Sequence, residues 1–256
     1  MEVDQRGDDN NDSDDAVAAR LAEAAGRHLL ALRERIGAEG VDPGPLRDAG
    51  DRESQRYLAG ELARWRPGDA VLSEEAADDA SRLGASRVWI IDPLDGTREF
   101  GEPPRSDWAV HVALAVDGIA RVGAVALPAR GLLLSTASLP PRPSFPSRPP
   151  VIVVSRTRPP AEAAAVAAAL GGRLAPMGSA GAKAMAVVLG EADAYIHSGG
   201  QHEWDSAAPV AVALASGLHA SRLDGSPLRY NQPDPWMPDL LICRTDLVGG
   251  VLAALR

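Results

Sequence analysis

The chain is 256 residues long, 45% hydrophobic and 24% charged, which excludes wholesale disorder and supplies core for one large domain or two small ones. Its 35 acidic against 26 basic residues give a formal charge of −9, arguing against a nucleic-acid coat but not against a small phosphate ester held through a cation. No apolar run approaches the roughly 18 to 20 residues that cross a bilayer, so no membrane partner is expected.

Residues 1–12 read as a flexible tail rich in Asp and Asn, acidic where a secretory signal is basic and then apolar. The lone cysteine, Cys243, allows no internal disulfide and no Cys-rich metal cluster, so the expected compartment is the cytoplasm. Ser13, followed by Asp14 and Asp15, is a helix start, with acids facing the positive end of the dipole. Val17, Leu21, Ala25, His28, Leu32 and Ile36 recur at three- and four-residue steps, one helical face on which His28 reads as packing, and Gly37 and Gly40 end the helix. A second helix is predicted from Asp51 to Trp65, which places Asp51 at its start.

Between Val71 and Thr136 the pattern is that of short strands. Val88-Trp89-Ile90-Ile91 suits a strand buried on both faces. Trp108–Val116 and Ile119–Leu127 flank Asp117-Gly118, a hairpin signal, and Leu132–Leu134 adds a strand. Pro140–Pro150 holds six prolines in eleven residues and reads as a linker. Beyond it, strands at Val151–Val154, Tyr195–Ile196 and Leu240–Cys243 alternate with helices at Ala161–Leu170, Gly181–Leu189, Ser206–Ala215 and Leu247–Leu255, while Trp236–Pro238 reads as a packed loop. That alternation implies a layered α/β fold. The expected division is 1–12 tail, 13–139 N-terminal α+β sub-domain, 140–150 linker and 151–256 C-terminal α/β sub-domain.

The chemistry concentrates in Asp92-Pro93-Leu94-Asp95-Gly96-Thr97, where a buried strand runs straight into two carboxylates. Carboxylates that close repel unless something positive sits between them, and a hard divalent cation such as Mg²⁺ takes oxygen ligands. The alternative is a solvated acidic turn. A D-x-D-x-T phosphatase motif does not fit, because the extra residue breaks the two-residue alternation that turns both carboxylates the same way. Glu74 and Glu75, Asp51 and Asp205 are further acids that could join, Asp51 and Asp205 having helix caps as their plainer reading. Lys183, the only lysine, reads equally as a phosphate partner or as an exposed helix residue.

Glu74-Glu75, then Asp92–Thr97, then Trp204-Asp205 resembles the three-part signature of the inositol monophosphatase superfamily of Mg²⁺-dependent, lithium-sensitive phosphatases, a resemblance covering about residues 14–255. Thr97-Arg98-Glu99-Phe100 looks like the bacterial 3′(2′),5′-bisphosphate nucleotidase branch, as do Gly181-Ala182-Lys183, Trp204–Pro209 and Gly225–Tyr230. The resemblance implies an αβαβα sandwich of two sub-domains with the metal site between the halves, often a homodimer, and two or three Mg²⁺ ions. Glu74, Asp92 and the carbonyl of Leu94 would bind one ion, and Asp92, Asp95 and Asp205 another. Asp51 and Thr97, with Glu74, would orient and deprotonate the attacking water. Gly96 and Thr97 would receive the phosphate, joined in contact with substrate by Asp95, Ser179, Lys183 and Asp205 and by Ser155, Thr157 and Arg158. The implied reaction removes the 3′-phosphate from 3′-phosphoadenosine 5′-phosphate or its phosphosulfate, supporting sulfate assimilation. The alternatives are an inositol monophosphatase or fructose-1,6-bisphosphatase of the same fold, or a metal-dependent binding protein without turnover. Departures from the family pattern are the proline-rich Pro140–Pro150 and Ala208-Pro209 where relatives often carry A-G.

Overall fold

A computed structural model describes residues 12–38, 43–141 and 148–256. The acidic tail up to residue 11, Gly40 and the middle of the proline-rich linker lie outside the described residues. Helix α1 runs from Asp14 to Ala38, and the Ser13 hydroxyl caps it by accepting the Ala16 N–H at 3.2 Å. Val17, Leu21, Ala25, Leu29 and Leu32 form its buried stripe. His28 is not on it: the inward step from Ala25 is four residues, to Leu29, and His28 stays exposed with its ring edge-on to Tyr57 at 4.5 Å.

Helix α2 spans Pro43–Trp65, eight residues longer at its front than Asp51–Trp65. Proline needs no N–H partner in a first helical turn, so Pro43 and Pro45 begin the helix instead of preventing it. Asp51 is therefore a mid-helix residue and not a cap.

Five strands follow: β1 (Ala70–Ser73), β2 (Arg87–Asp95), β3 (Ala109–Val116), β4 (Ile119–Leu127) and β5 (Leu132–Ser135). They form one sheet in chain order, with β1 parallel to β2 and the rest antiparallel. A one-turn helix, α3 (Thr97–Phe100), leaves the end of β2. The β3–β4 hairpin turns on Asp117 (φ 50°) and Gly118 (φ 74°), the pair of positive φ values that a right-twisted two-residue hairpin demands.

The second half supplies β6 (Val151–Ser155), α4 (Ala161–Leu170), β7 (Arg173–Met177), α5 (Ala180–Val188), β8 (Ala194–His202), α6 (Glu203–Ala215), β9 (His219–Ser221), β10 (Trp236–Cys243) and α7 (Val248–Ala254). Its sheet has the order β7-β6-β8-β10-β9; β6 is parallel to β7 and β8, and β10 antiparallel to β8 and β9. Trp236–Pro238 is thus the start of a strand, not a loop; Met237 pairs with Gln201.

Three buried clusters stack these elements into five layers. Helices α1 and α2 cover Trp89, Ile91, Val110, Val112 and Leu114 on one face of the first sheet. The opposite face, through Val88, Ile90, Ala113 and Val125, packs on α5 and α6, whose far sides meet Tyr195, Leu240 and Ile242 of the second sheet. Helices α4 and α7 close the outside against Ile152, Val154, Ile196 and Leu241. The order is helices, sheet, helices, sheet, helices, as the sandwich requires. Gly123 allows the close central contact: a Cβ there would stand 2.6 Å from the Ala208 carbonyl oxygen and 2.8 Å from the Ala211 methyl. Among the described residues no helix is long and apolar enough to cross a membrane.

Candidate active site

The first two carboxylates come from β2. Asp92 follows Val88 and Ile90 on the face that looks toward α5 and α6, and is 1% exposed. In a regular strand Asp95, three residues on, would point to the other face. Here Asp92 pairs with His111 and Asp95 with Ala109, so two residues of β2, Pro93 and Leu94, stand against one of β3, Val110. This bulge returns both carboxylates to one side. Ser54 on α2 holds it, donating to the Pro93 carbonyl at 2.7 Å.

The parallel pairing of β1 with β2 sets Ser73 opposite Ile91, so Glu74, leaving β1, emerges beside Asp92. Asp205 comes from the other half, in the first turn of α6, where Oδ2 accepts the His202 N–H at 2.6 Å. Its cap role thus uses one oxygen. One oxygen each of Asp92, Asp95 and Asp205 lie within 4.8 Å of one another. Glu74 stands outside that triangle. Much of the residue is exposed at the mouth, but its carboxyl end is packed among the acids, within hydrogen-bonding reach of Asp92.

These groups are arranged against their own ionisation. Burial, then repulsion from Asp205, pushes Glu74 up to about 7. Burial and Glu74 raise Asp92 well above the ordinary carboxylate range, and burial and Asp95 raise Asp205. Among the described residues none of the three has a salt-bridge partner. A cluster of hard oxygen donors, buried, mutually repelling and unpaired with any cation, fits a divalent metal ion. The Leu94 carbonyl lies on the same bulge and accepts from Thr97 Oγ1 at 3.0 Å, which leaves one lone pair.

Asp95 behaves differently. Burial opposes its charge, but His111, Lys183 and Ser179 outweigh burial and hold its pKa well below the usual carboxylate range. Ser179 Oγ donates a short hydrogen bond to it, and the Ala180 and Gly181 N–H groups at the start of α5 donate at 3.0 and 2.6 Å. His111 Nε2 lies 3.2 Å from Asp95 Oδ2, while Nδ1 lies 3.0 Å from the Trp204 carbonyl. His111 escaped the sequence reading. Its signal was present: the one polar side chain inside the apolar run Ala109–Val116, on the face shared with Ala109 and Ala113.

On the other side of β2, Asp51 of α2 approaches α3. Thr97 Oγ1 lies 3.1 Å from Asp51 Oδ1 as well as within reach of the Leu94 carbonyl. Burial raises the Asp51 carboxyl to about 6, with Glu75 and Asp48 adding to the shift and the Thr97 hydroxyl opposing it. Gly50 makes this approach possible, since a Cβ there would come within 2.8 Å of both Leu94 Cδ2 and the Phe100 ring. Gly96, at φ 82°, turns the chain from β2 into α3.

A cleft of about 400 Å³ opens onto the acids. Glu74, Asp95 and Asp205 line it together with Ser179, Lys183, Ser155 and Arg158. Lys183 is not the exposed helix residue of the alternative reading: it is 5% exposed, its ammonium donates to the Ser179 carbonyl at 2.5 Å, and it lies 5.2 Å from the Tyr195 ring centre. Burial lowers its pKa, and Asp95 and Asp205 oppose that shift. Arg158 is exposed at the rim, its backbone N–H donating to Ser155 Oγ at 3.2 Å. Thr157, exposed on the same turn, is not among the lining residues, and neither are Asp51, Asp92 and Thr97.

The acids make the cation-free protein sensitive to pH. Glu74 and Asp51 titrate near 7 and 6 when folded and near 4 when unfolded. A raised folded pKa gives stability that is fully present below about pH 4 and is lost as pH rises through these values. In EDTA the melting temperature should therefore fall between pH 5 and 8. A saturating divalent cation should raise it more at pH 8 than at pH 5, and a cation-induced shift that is flat across this range counts against the cluster as a metal centre.

Five alternating layers, with carboxylates that could hold a cation gathered between the two sheets, define a layered α/β sandwich. The chain matches the inositol monophosphatase family over residues 10–246, and it belongs to that family of phosphatases. It is 52% identical over 256 residues to the 3′-phosphoadenosine 5′-phosphate phosphatase of Mycobacterium leprae, an alignment covering 95% of this chain and 94% of the relative. To the protein of the same name from Mycobacterium tuberculosis it is 53% identical over 90% of this chain and 89% of the relative. The crystal structure of CysQ from Bacteroides thetaiotaomicron superposes with a TM-score of 0.71 at 26% identity, covering 90% of this chain and 96% of that one.

Proposed function

We propose that the protein is a Mg²⁺-dependent phosphomonoesterase that removes the 3′-phosphate from 3′-phosphoadenosine 5′-phosphate or its phosphosulfate. The observation that carries this reading is the 52% identity, over nearly the whole of both chains, to a relative named for that phosphatase activity. The site supplies the residues such a reaction uses. Glu74, Asp92 and the Leu94 carbonyl would hold one ion, and Asp92, Asp95 and Asp205 a second; a third would complete the upper count. Bound there, such ions lower the pKa of a water and stabilise charge on the entering and leaving oxygens of an in-line displacement.

The chain's own work is positioning and proton transfer. Thr97 Oγ1 passes a proton to Asp51 Oδ1 as it accepts one from the attacking water, with Glu74 orienting that water from the opposite side. Asp51, at about 6, is ionised at neutral pH yet basic enough to accept that proton. The Gly96 and Thr97 amides receive the phosphate oxygens, and Ser179 orders Asp95 beside them. Lys183 and Arg158, which line the cleft, would neutralise a second phosphate, and Ser155 and Thr157, near Arg158, would donate hydrogen bonds to it. The division into sub-domains 13–139 and 151–256 around a linker at 140–150, a homodimeric state, a cytoplasmic location and a role in sulfate assimilation belong to the same reading.

Phosphate release should be compared for 3′-phosphoadenosine 5′-phosphate, inositol 1-phosphate and fructose 1,6-bisphosphate. The expected result is a kcat/KM at least ~10-fold higher for the nucleotide, abolished by EDTA, restored by Mg²⁺ and inhibited by lithium. A preference for either of the other esters overturns the substrate, and Mg²⁺ binding without turnover overturns the enzyme.

A further inference from the structure

Ser179 is held in a backbone conformation that its neighbours must impose. Three non-glycine residues among those described have positive φ, and two of them, Asp117 and Asn231, are of types that tolerate it. Ser179, at φ 51° and ψ 133°, lies outside even the left-handed helical region. Its role as the cap of α5 does not ask for this, because a capping serine ordinarily sits in the extended region at negative φ. A strained residue persists only where its surroundings over-determine it, and such residues cluster at functional sites.

The surroundings grip the turn that joins β7 to α5. From the first half of the chain, Asp107 Oδ2 accepts the Gly178 N–H at 2.7 Å, and Arg105 pairs with the same carboxylate. Trp108, wholly buried and edge-on to Phe100, anchors the backbone beside Asp107. Glu99 lies across Gly178 so closely that a Cβ there would stand 2.4 Å from its carboxyl carbon. From the other side the buried Lys183 ammonium donates to the Ser179 carbonyl at 2.5 Å. In the conformation so fixed, Ser179 Oγ accepts the Ala182 N–H at 2.9 Å and donates to Asp95 Oδ2. The strained residue is therefore the one that orients a carboxylate of the acid triangle.

We infer that Asp107 is a positioning residue for the metal centre: through the Gly178 N–H it holds Ser179 in its strained conformation, and Ser179 in turn holds Asp95 in the orientation that binds a divalent cation. Asp107 itself belongs neither to the triangle nor to the lining of the cleft. The inference rests on the metal reading above and deepens it.

The test measures Mg²⁺ binding by titration calorimetry for the wild type, Asp107→Ala, Ser179→Ala and the double variant, which together close a cycle. Each single change should weaken the Mg²⁺ Kd ~10-fold, the lower end of what losing a group behind a metal ligand costs. Because both act on Asp95 by one route, the double variant should also be weakened ~10-fold and not ~100-fold. At saturating Mg²⁺ the kcat of Asp107→Ala should return to near the wild-type value, since Asp107 contacts no reacting atom. A merely structural Asp107 would lower the melting temperature in EDTA and leave the Mg²⁺ Kd where it was, and that result overturns the inference while the metal reading stands. Losses that multiply to ~100-fold overturn it as well, because Asp107 would then act by a route that bypasses Ser179. If the wild type binds no Mg²⁺, the metal reading fails and takes the inference with it. Should Asp107→Ala not fold, Asp107→Ser takes its place in the cycle, its side chain being too short to reach the Gly178 N–H.

Discussion

Replacing Asp92 by Asn is expected to lower phosphate release by at least ~10³-fold while making the cation-free protein more stable. The two effects come from one cause. On the proposed reading Asp92 would serve both ion positions, and metal catalysis is worth several kcal/mol, each 1.36 kcal/mol being tenfold in rate. In the absence of cation the same group is buried beside Glu74 and Asp95 with its pKa raised well above the ordinary range. Keeping it in the fold therefore costs free energy at every pH above its unfolded value near 4, and the neutral amide escapes that cost. A rise in melting temperature of about 5 °C in EDTA at pH 7.5 corresponds to ~2 kcal/mol in a chain of this size. The measurement pairs a phosphate-release assay with thermal unfolding in EDTA. A variant that loses activity by misfolding melts lower, so an Asp92→Asn protein that melts below the wild type in EDTA contradicts the electrostatic account. Undiminished turnover contradicts the metal assignment.

Gly181→Ala should cost ~1–3 kcal/mol of stability and reduce activity ~10- to 100-fold. The added methyl would sit 2.1 Å from His111 Nε2 and 3.1 Å from the Ala109 methyl. His111 cannot step aside, being fully buried with Nδ1 held at the Trp204 carbonyl. The start of α5 must then move, and with it the Gly181 N–H that Asp95 accepts. Gly60→Ala is the matching control: nothing lies within 4 Å of its would-be Cβ, it sits in the exposed interior of α2, and it should gain ~0.5–1 kcal/mol by helix propensity alone. Thermal unfolding of both variants beside the wild type checks the pair. Equal and small shifts would show that the His111–Gly181 contact is loose enough to relax.

The part of this molecule most readable from its residues was the part where type and order are sufficient. The apolar run before Asp92 gave a buried strand, and Asp117-Gly118 gave the hairpin. The ordered acids gave a family. What stayed hidden depended on register and on long-range approach. The spacing of Asp92 and Asp95 seemed to place them on opposite faces, and only the bulge at Pro93-Leu94, set by pairing with β3, reverses that. Asp51 looked like a cap because the second helix was expected to start there, when Pro43 and Pro45 fit its first turn and carry its start eight residues earlier. His111 was passed over since a single histidine in an apolar strand is silent until its opposite number is known. Trp236 meets His202, and Met237 meets Gln201, only through the pairing of β10 with β8, and the first residues of β10 carry a proline and read as a loop.

The hydrogen bonds around Asp95 join residues 84 to 86 positions apart, and Asp205 lies later still. During synthesis on the ribosome, the first sheet and its helices emerge with Asp92 and Asp95 in place, His111 beside Asp95, and without the α5 groups that hydrogen-bond it. Until α5 appears, Asp95 lacks three of its hydrogen-bond donors, and until α6 appears the chain lacks Asp205, the third carboxylate of the triangle. The polypeptide thus delays its own chemistry, acquiring a competent centre only after most of the message has been translated.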